Sequence, residues 1–320
     1  FRPKGCAVSG VIDPTFSFEV LPPRTPAAEA SVFEAIDRLC EVNPEFISVT
    51  YRPTGHDHAA SLAVLGKLIR EHRVHAMAHL TCVGYTYDTA TRVIRDFLDE
   101  GVTNFLALRG DIPPGQSEED SFPGDLASAG ELVQLIHRVQ AERSPFSLEE
   151  MRGFPSGKKL RSGEKVTIAV AAFPNGHPNS RSRAQDIDTL LAKEAAGANL
   201  AITQLFFEAD EYLEFVAEAK TAGVTMRMLP GIMPVLSMAR LHRIIELTGE
   251  TMPLQLLAAL EAAPDAATMA QVGIDACTRL ARDLLAGGAD GIHLYTFNRA
   301  DAPLAVLKGA GLLKTSTQPA

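Results

Sequence analysis

Glu19, Thr50, His79, Arg109, Asp111, Gln204 and Tyr295 each fall near the C-terminal end of a short apolar run. Glu19 lies between Phe18 and Val20. A carboxylate among apolar neighbours is costly to ionise unless it is paired. It therefore reads either as a general acid with a raised pKa or as one half of a salt bridge to a basic residue across the fold. Asp111 closes an Arg109-Gly110-Asp111 turn. There the guanidinium offers a planar fork of donors and the glycine admits close backbone approach, which suits a phosphate or a polar ring edge; a plain solvent-facing turn is the alternative. Gln204 interrupts the run ITQLFF, and its amide can both donate to and accept from a heterocycle edge, or be satisfied within the core. His79 has no partner at convincing metal-ligand spacing, so it reads as a hydrogen-bonding residue beneath a ligand and no metal is expected. His177 sits in the rigid loop FPNGHP, well placed over a ligand. Asp186 and Lys193 fall on the helix that follows and read by default as solvated helix residues.

These residues are far apart in sequence and need a frame that brings them together. Eight apolar runs (FSFEV, FISVT, AMAHLT, FLALRGD, IAVAAF, AITQLFF, RMLPGI and GIHLYTFNR) alternate with helical stretches. Glycines in EGVTN, AGANL, AGVTM and GGADG end helices just before the next run, which argues for parallel strand order. A doubly wound sheet would carry a glycine-rich turn after its first strand, whereas this chain has FEVLPPRT there. The expected fold is an α/β (β/α)8 barrel, in which strand C-termini converge on the active site. Strands are expected at Thr15–Val20, Phe46–Thr50, His75–Cys82, Asn104–Gly110, Val166–Phe173, Leu200–Phe207, Met226–Met233 and Asp290–Thr296. Asp88 is the expected N-cap of the third helix and Gly101 its stop. An irregular, extended connection over 144–165 precedes the fifth strand, and two or three helices separated by Gly249 and Pro264 precede the eighth. The domain division is an N-terminal extension over 1–14, the barrel over 15–310 and a flexible tail over 311–320.

The 320 residues, 46% hydrophobic, bury one large core, and the formal charge of -9 argues against a nucleic-acid surface. Apolar runs are too short for a membrane span, and no export signal opens the chain, so a cytoplasmic protein is expected. Cys6, Cys40, Cys82 and Cys277 lack metal-ligand spacing and read as free thiols in a reducing compartment. From the residues alone, the expectation is an enzyme with a large polar ligand across the barrel mouth, of undetermined reaction.

The segments FSFEVLPPRT, FISVTY, AHLTC, ALRGDIP, VAAFPNGHP, AGANLAITQLFF, LPGIMPV and YTFNRA occur in order from Thr15 to Ala300. Together they resemble the methylenetetrahydrofolate reductase family, in its short bacterial type with the catalytic barrel only. The resemblance implies non-covalent FAD, NADH or NADPH as electron donor, and a homo-oligomer. It implies reduction of 5,10-methylenetetrahydrofolate to 5-methyltetrahydrofolate by hydride transfer through flavin N5. Glu19 then matches the general acid, Asp111 the aspartate beside flavin and pterin, and Gln204 the glutamine that contacts folate and nicotinamide in turn. Thr50, His79, Arg109, Gly110, Asp111, Ala171, His177, Asp186 and Lys193 match positions lining FAD. Phe122 and Phe173 stand where tyrosines commonly contact FAD, Thr189 where an asparagine does, and Ala192 where a basic residue does. Met238 replaces an aromatic that packs on folate or nicotinamide, and Tyr295 and Arg299 fall in the segment near the substrate cleft. Two alternatives stand beside this expectation: a related flavoenzyme running mainly in the oxidative direction in methyl-group catabolism, and a non-redox folate-binding barrel.

Overall fold

The computed structural model describes residues 14–51, 55–110, 124–143, 147–150, 158–161 and 166–313. Asp111 and Phe122, residues 1–13 of the expected extension and 314–320 of the expected tail lie outside the described residues.

Strands β1 (Thr15–Val20), β2 (Ile47–Val49), β3 (Ala76–Thr81) and β4 (Asn104–Leu108) pair side by side in parallel. β4 continues to β7 (Thr167–Ala172), β8 (Leu200–Thr203) and β9 (Arg227–Leu229). β10 (Gly231–Ile232) pairs with β11 (Gly291–Tyr295), and β11 returns to β1. β9 and β10 are two halves of one barrel strand separated by Pro230. The first half bonds to β8 and the second to β11, while the Pro230 carbonyl accepts from the His293 amide at 2.9 Å. Proline has no N–H to give to a ladder, so the break in pairing falls where a donor is missing anyway. The expected seventh strand is thus split, and it closes the ring of eight.

Helices alternate with the strands: α1 (Pro26–Cys40), α2 (Gly55–Lys67), α3 (Tyr87–Asp99), α4 (Ala129–Arg143), α5 (Arg183–Ala195) and α6 (Ala209–Thr221). Three helices, α7 (Met238–Thr248), α8 (Leu254–Glu261) and α9 (Ala266–Ala286), follow β10, and α10 (Asp301–Gly309) follows β11. α2 continues into a π-helical turn over Leu68–His72. Local chemistry corrects one expected cap. Thr86, not Asp88, caps α3, its hydroxyl accepting from the Thr89 amide at 3.2 Å, while Asp88 lies in the first turn. Gly101 follows that helix with φ +94°, which only glycine adopts freely. The connection expected to be irregular carries an antiparallel hairpin, β5 (Ser147–Glu150) with β6 (Lys158–Arg161). Neither SLEE nor KKLR alternates apolar and polar residues, so the sequence gives no strand signal there.

Strand side chains point alternately to opposite faces of the sheet. Phe18, Val20, Ile47, Val49, Ala78, Leu80, Phe105, Ile168, Val170, Ile292 and Leu294 form the layer under the helices. Phe46, Met77, Leu106, Ala169, Leu200, Ile202 and Leu229 form a separate cluster inside the ring. At the strand N-termini Arg227 closes the interior. Its guanidinium donates to both Glu45 oxygens at 2.7 and 2.9 Å, to Asp290 Oδ1 at 3.2 Å and to Thr15 Oγ1 at 2.5 Å. The opposite, C-terminal mouth is left for chemistry.

Candidate active site

The same alternation that sends Phe18 and Val20 outward sends Ser17 and Glu19 inward on β1. It sends Met77 and His79 inward on β3, and His293 and Tyr295 inward on β11. Glu19 pairs in register with Tyr295, and Ser17 with His293. Glu19 Oε2 lies 3.5 Å from His79 Nε2, with the two side chains 18% and 7% exposed. Burial pushes the Glu19 carboxyl up to about 8 and the His79 imidazole down to about 3. Both shifts favour neutral forms, so at neutral pH the pair is a carboxylic acid beside a neutral imidazole, not an ion pair. The basic group that faces Glu19 is thus a buried histidine, and burial opposes the charged form of both partners.

Below this pair Ser17 Oγ and His293 Nδ1 lie 2.8 Å apart, and His293 stacks on Phe46 with ring centroids 5.7 Å apart. His293 is held neutral by burial, its pKa lowered to about 3, with His79 a further unfavourable neighbour for its charge. Sequence reading missed Ser17 and His293. The period-two pattern of FSFEV and GIHLY puts them on one face of their strands with Glu19 and Tyr295, but does not tell whether that face is wet or enclosed.

The loop after β11 fixes the backbone around Glu19. The Thr296 hydroxyl and amide both donate to the Glu19 carbonyl, at 2.6 and 3.2 Å. Asn298 grips Leu21 from both sides, its Oδ1 accepting from the Leu21 amide and its Nδ2 donating to the Leu21 carbonyl, each at 2.8 Å. Phe297 and Asn298 both have positive φ, 48° and 59°. Tyr295 donates its hydroxyl to the Thr203 carbonyl at 2.8 Å, tying β11 to the end of β8. A side chain at Gly231 would collide with that carbonyl and with the Tyr295 ring.

A second group gathers at the ends of β4 and β7. Gly110 has φ +90° and packs so closely on Thr81 that a side chain would press on it, while the Arg109 carbonyl accepts from the Cys82 and Val83 amides. Lys193 reaches from α5 to the Ala171 carbonyl at 2.8 Å, and burial lowers its pKa to about 8 against the favourable pull of Asp186. Asp186 Oδ1 accepts from the Ser180 hydroxyl at 2.5 Å and the His177 amide at 3.3 Å, whereas its buried Oδ2 has no hydrogen-bond partner among the described residues. The default reading of Asp186 and Lys193 as solvated helix residues is therefore corrected: both turn toward the β7 end because their face of α5 packs on it. Phe173 meets His177 edge-on with centroids 4.7 Å apart. Thr189 is exposed and its hydroxyl bonds back to the Gln185 carbonyl at 2.8 Å, so it turns along its own helix.

Gln204 follows β8 directly, and its Oε1 accepts from the Leu205 amide at 2.9 Å. Thr50 follows β2, with its amide on the Val20 carbonyl at 3.1 Å. Met238 opens α7 and is partly buried, and Arg299 is exposed beyond Tyr295. Thus the described site residues all lie at or just beyond strand C-termini, or on α5 and α7 at that same end. Cys40, Cys82 and Cys277 are free and buried.

The profile of the methylenetetrahydrofolate reductase family matches residues 10–311. This chain belongs to the methylenetetrahydrofolate reductase family. The 5,10-methylenetetrahydrofolate reductase of Salmonella typhimurium is 31% identical over 92% of this chain and 90% of its own length, and that of Escherichia coli is 30% identical over the same shares. Methylenetetrahydrofolate reductase relatives differ in named donor. One from Zea mays is named for NADH and one from Caenorhabditis elegans is named a probable NADPH enzyme. They are 29% and 32% identical, and the chain spans 49% and 42% of their lengths. Among solved structures, a Clostridium thermocellum protein described as binding two copies of 5-methyl-5,6,7,8-tetrahydrofolic acid superposes with a TM-score of 0.58. It is 11% identical over 94% of this chain and 95% of that one, a likeness of fold alone. Among the described residues, no helix is long and apolar enough to cross a membrane.

Proposed function

We propose that this protein reduces 5,10-methylenetetrahydrofolate to 5-methyltetrahydrofolate with NADH or NADPH, through non-covalently bound FAD, with Glu19 as general acid. The observation that carries the reading is the Glu19 carboxyl. It lies at the barrel mouth with its pKa raised to about 8, faced by a neutral imidazole. A carboxylic acid that keeps its proton at neutral pH can give it to a departing amine.

The β4 and β7 ends fit a flavin dinucleotide. Asp186 presents a buried oxygen without a hydrogen-bond partner among the described residues, and Lys193 holds a cation nearby. Arg109, Gly110, Ala171, Phe173, His177, Asp186, Thr189 and Lys193 would hold FAD, with Thr50 and His79 beneath it, and with Asp111 and Phe122 from the connection after β4. When bound, FAD supplies the hydride chemistry. Glu19 holds a proton at its carboxyl and releases it to the folate nitrogen whose bond to the methylene carbon opens. Thr296 and Asn298 keep that carboxyl in place by fixing the Glu19 carbonyl and Leu21, two residues on. Gln204 keeps its amide N–H groups without a hydrogen-bond partner among the described residues, ready for a heterocycle acceptor. Asp111 stabilises the cationic ring-opened folate, and Met238, Tyr295 and Arg299 line the folate cleft. The setting is a cytoplasmic homo-oligomer.

Purified protein is expected to show flavin absorbance that anaerobic NADH or NADPH bleaches and methylenetetrahydrofolate restores. Bleached protein that the folate leaves unchanged overturns the reading.

A further inference from the structure

The two ends of α7 meet different sides of the barrel mouth. Its first turn lies on the β11 side, where the Arg240 guanidinium carbon is 4.2 Å from the Phe297 ring centroid. Its far end lies on the β7 side, where the Asn175 side-chain amide donates to Glu250 Oε2 at 2.7 Å. The 11 residues of the helix span about 16 Å between these two contacts. In the ring β8 lies between β7 and β9, so the Asn175–Glu250 bond joins elements that flank the β8 end, where Gln204 stands.

Local chemistry builds both sides of this bond. Gly249 ends α7 with φ +72° and its amide on the Ile245 carbonyl at 2.9 Å, a left-handed turn that glycine adopts freely. The Glu250 amide follows with a bond to Thr248 Oγ1 at 3.3 Å. Across the gap Gly176 has φ +94° and donates to the Phe173 carbonyl at 3.1 Å, which leaves Asn175 within the tight turn after β7. Past that turn Asp186 holds the loop to α5 through the His177 amide and the Ser180 hydroxyl. The loop also lies against the buried Asp186 oxygen that has no hydrogen-bond partner among the described residues: a Cβ at Gly176 would stand 3.5 Å from it. Glu250 is half-buried and forms no ion pair among the described residues. Burial pushes its carboxyl up and the Glu211 carboxylate on α6 adds to this, while the Asn175 bond opposes both. Without that bond, turning out to water is the less costly arrangement for this carboxyl.

We propose that Glu250 is a positioning residue for the cofactor: through Asn175 it latches the loop carrying Phe173 and His177 over bound FAD, and opening the latch admits and releases the dinucleotide. The inference rests on the FAD-dependent function proposed above and deepens it by naming what governs cofactor exchange.

The test follows the rise in flavin fluorescence as FAD leaves diluted holoenzyme, in the wild type, Asn175→Ala, Glu250→Ala, the double variant and Glu250→Gln. Each alanine variant is expected to release FAD about ten-fold faster, the worth of one hydrogen bond to a charged group. The double variant should release it no faster than either single one, since both substitutions remove the same bond. Glu250→Gln keeps an acceptor for the Asn175 amide and should stay within about three-fold of the wild type. Unconnected loosening of two loops would instead multiply in the double variant and would find no rescue in Glu250→Gln. Release from the alanine variants within about two-fold of the wild type, multiplied effects in the double variant, or Glu250→Gln as fast as Glu250→Ala overturns the latch. Wild-type protein that holds no FAD overturns the flavin-dependent function itself, so the two failures are distinguishable.

Discussion

Glu19 and the two interior histidines titrate in opposite directions, and the pH dependence of stability follows from that. The Glu19 carboxyl, ordinarily near 4.5, is held at about 8 by burial. Its contribution is therefore fully present below 4.5 and is lost as pH rises through 8. His79 and His293, ordinarily near 6.5, are held at about 3. Their contribution is present above 6.5 and is lost as pH falls toward 3. The three groups together favour the folded state most near pH 6.5. Denaturant titrations from pH 5 to pH 9 are expected to show wild-type stability falling between 6.5 and 8. Glu19→Gln should lose that fall and keep the acid-side one. A high-pH fall of equal slope in both proteins contradicts the assignment.

Elements fix where these residues stand, and the loop after β11 is the clearest instance. Asn298 holds Leu21, two residues past Glu19, through both of its amide atoms, in a backbone conformation that asparagine tolerates better than alanine. Asn298→Ala is expected to cost about 1–3 kcal/mol of stability from the lost hydrogen bonds and the strained φ. Asn298→Gly relieves the strain and isolates the amide. In both variants the folate half-reaction should slow more than the nicotinamide half-reaction, because Glu19 serves the former. Equal slowing of the two argues against a positioning role. This loop also marks how far the sequence was readable. YTFNRA was visible as a segment near the cleft, but no local pattern tells that Asn298 reaches Leu21, 277 residues earlier in the chain. Glu19 was legible because a carboxylate between Phe18 and Val20 conflicts with its neighbours. His293 was not singled out, because an alternating polar residue looks the same whether its face is wet or enclosed. Asp186 is buried on α5 beside Ile187 and Leu190, and Lys193 reaches back to the Ala171 carbonyl; composition carries no sign of that.

At the scale of the whole molecule, the ring of eight parallel strands was readable from the repeated step of apolar run, helix and glycine, since each unit signals itself locally. The split of its seventh strand was not, because nothing local to Met226–Met233 tells that Pro230 divides it into one half on β8 and another on β11. The two ends of the ring have separate tasks. Arg227, with Glu45, Asp290 and Thr15, joins strand starts at the end remote from Glu19. Arg227→Ala is expected to lower unfolding stability by about 1–2 kcal/mol, since it removes the part-buried guanidinium that ties Glu45, Asp290 and Thr15 together. Both half-reaction rates should stay at wild-type values in the surviving folded protein. Slowed chemistry at unchanged stability contradicts this division of tasks.

The measurement that bears most directly on the central claim is anaerobic rapid mixing of Glu19→Gln with nicotinamide donor and then with methylenetetrahydrofolate, following flavin absorbance. Reduction by the donor should proceed near the wild-type rate, and reoxidation by the folate should be nearly abolished. Reoxidation at the wild-type rate, or equal loss in both half-reactions, would contradict Glu19 as the acid of folate reduction.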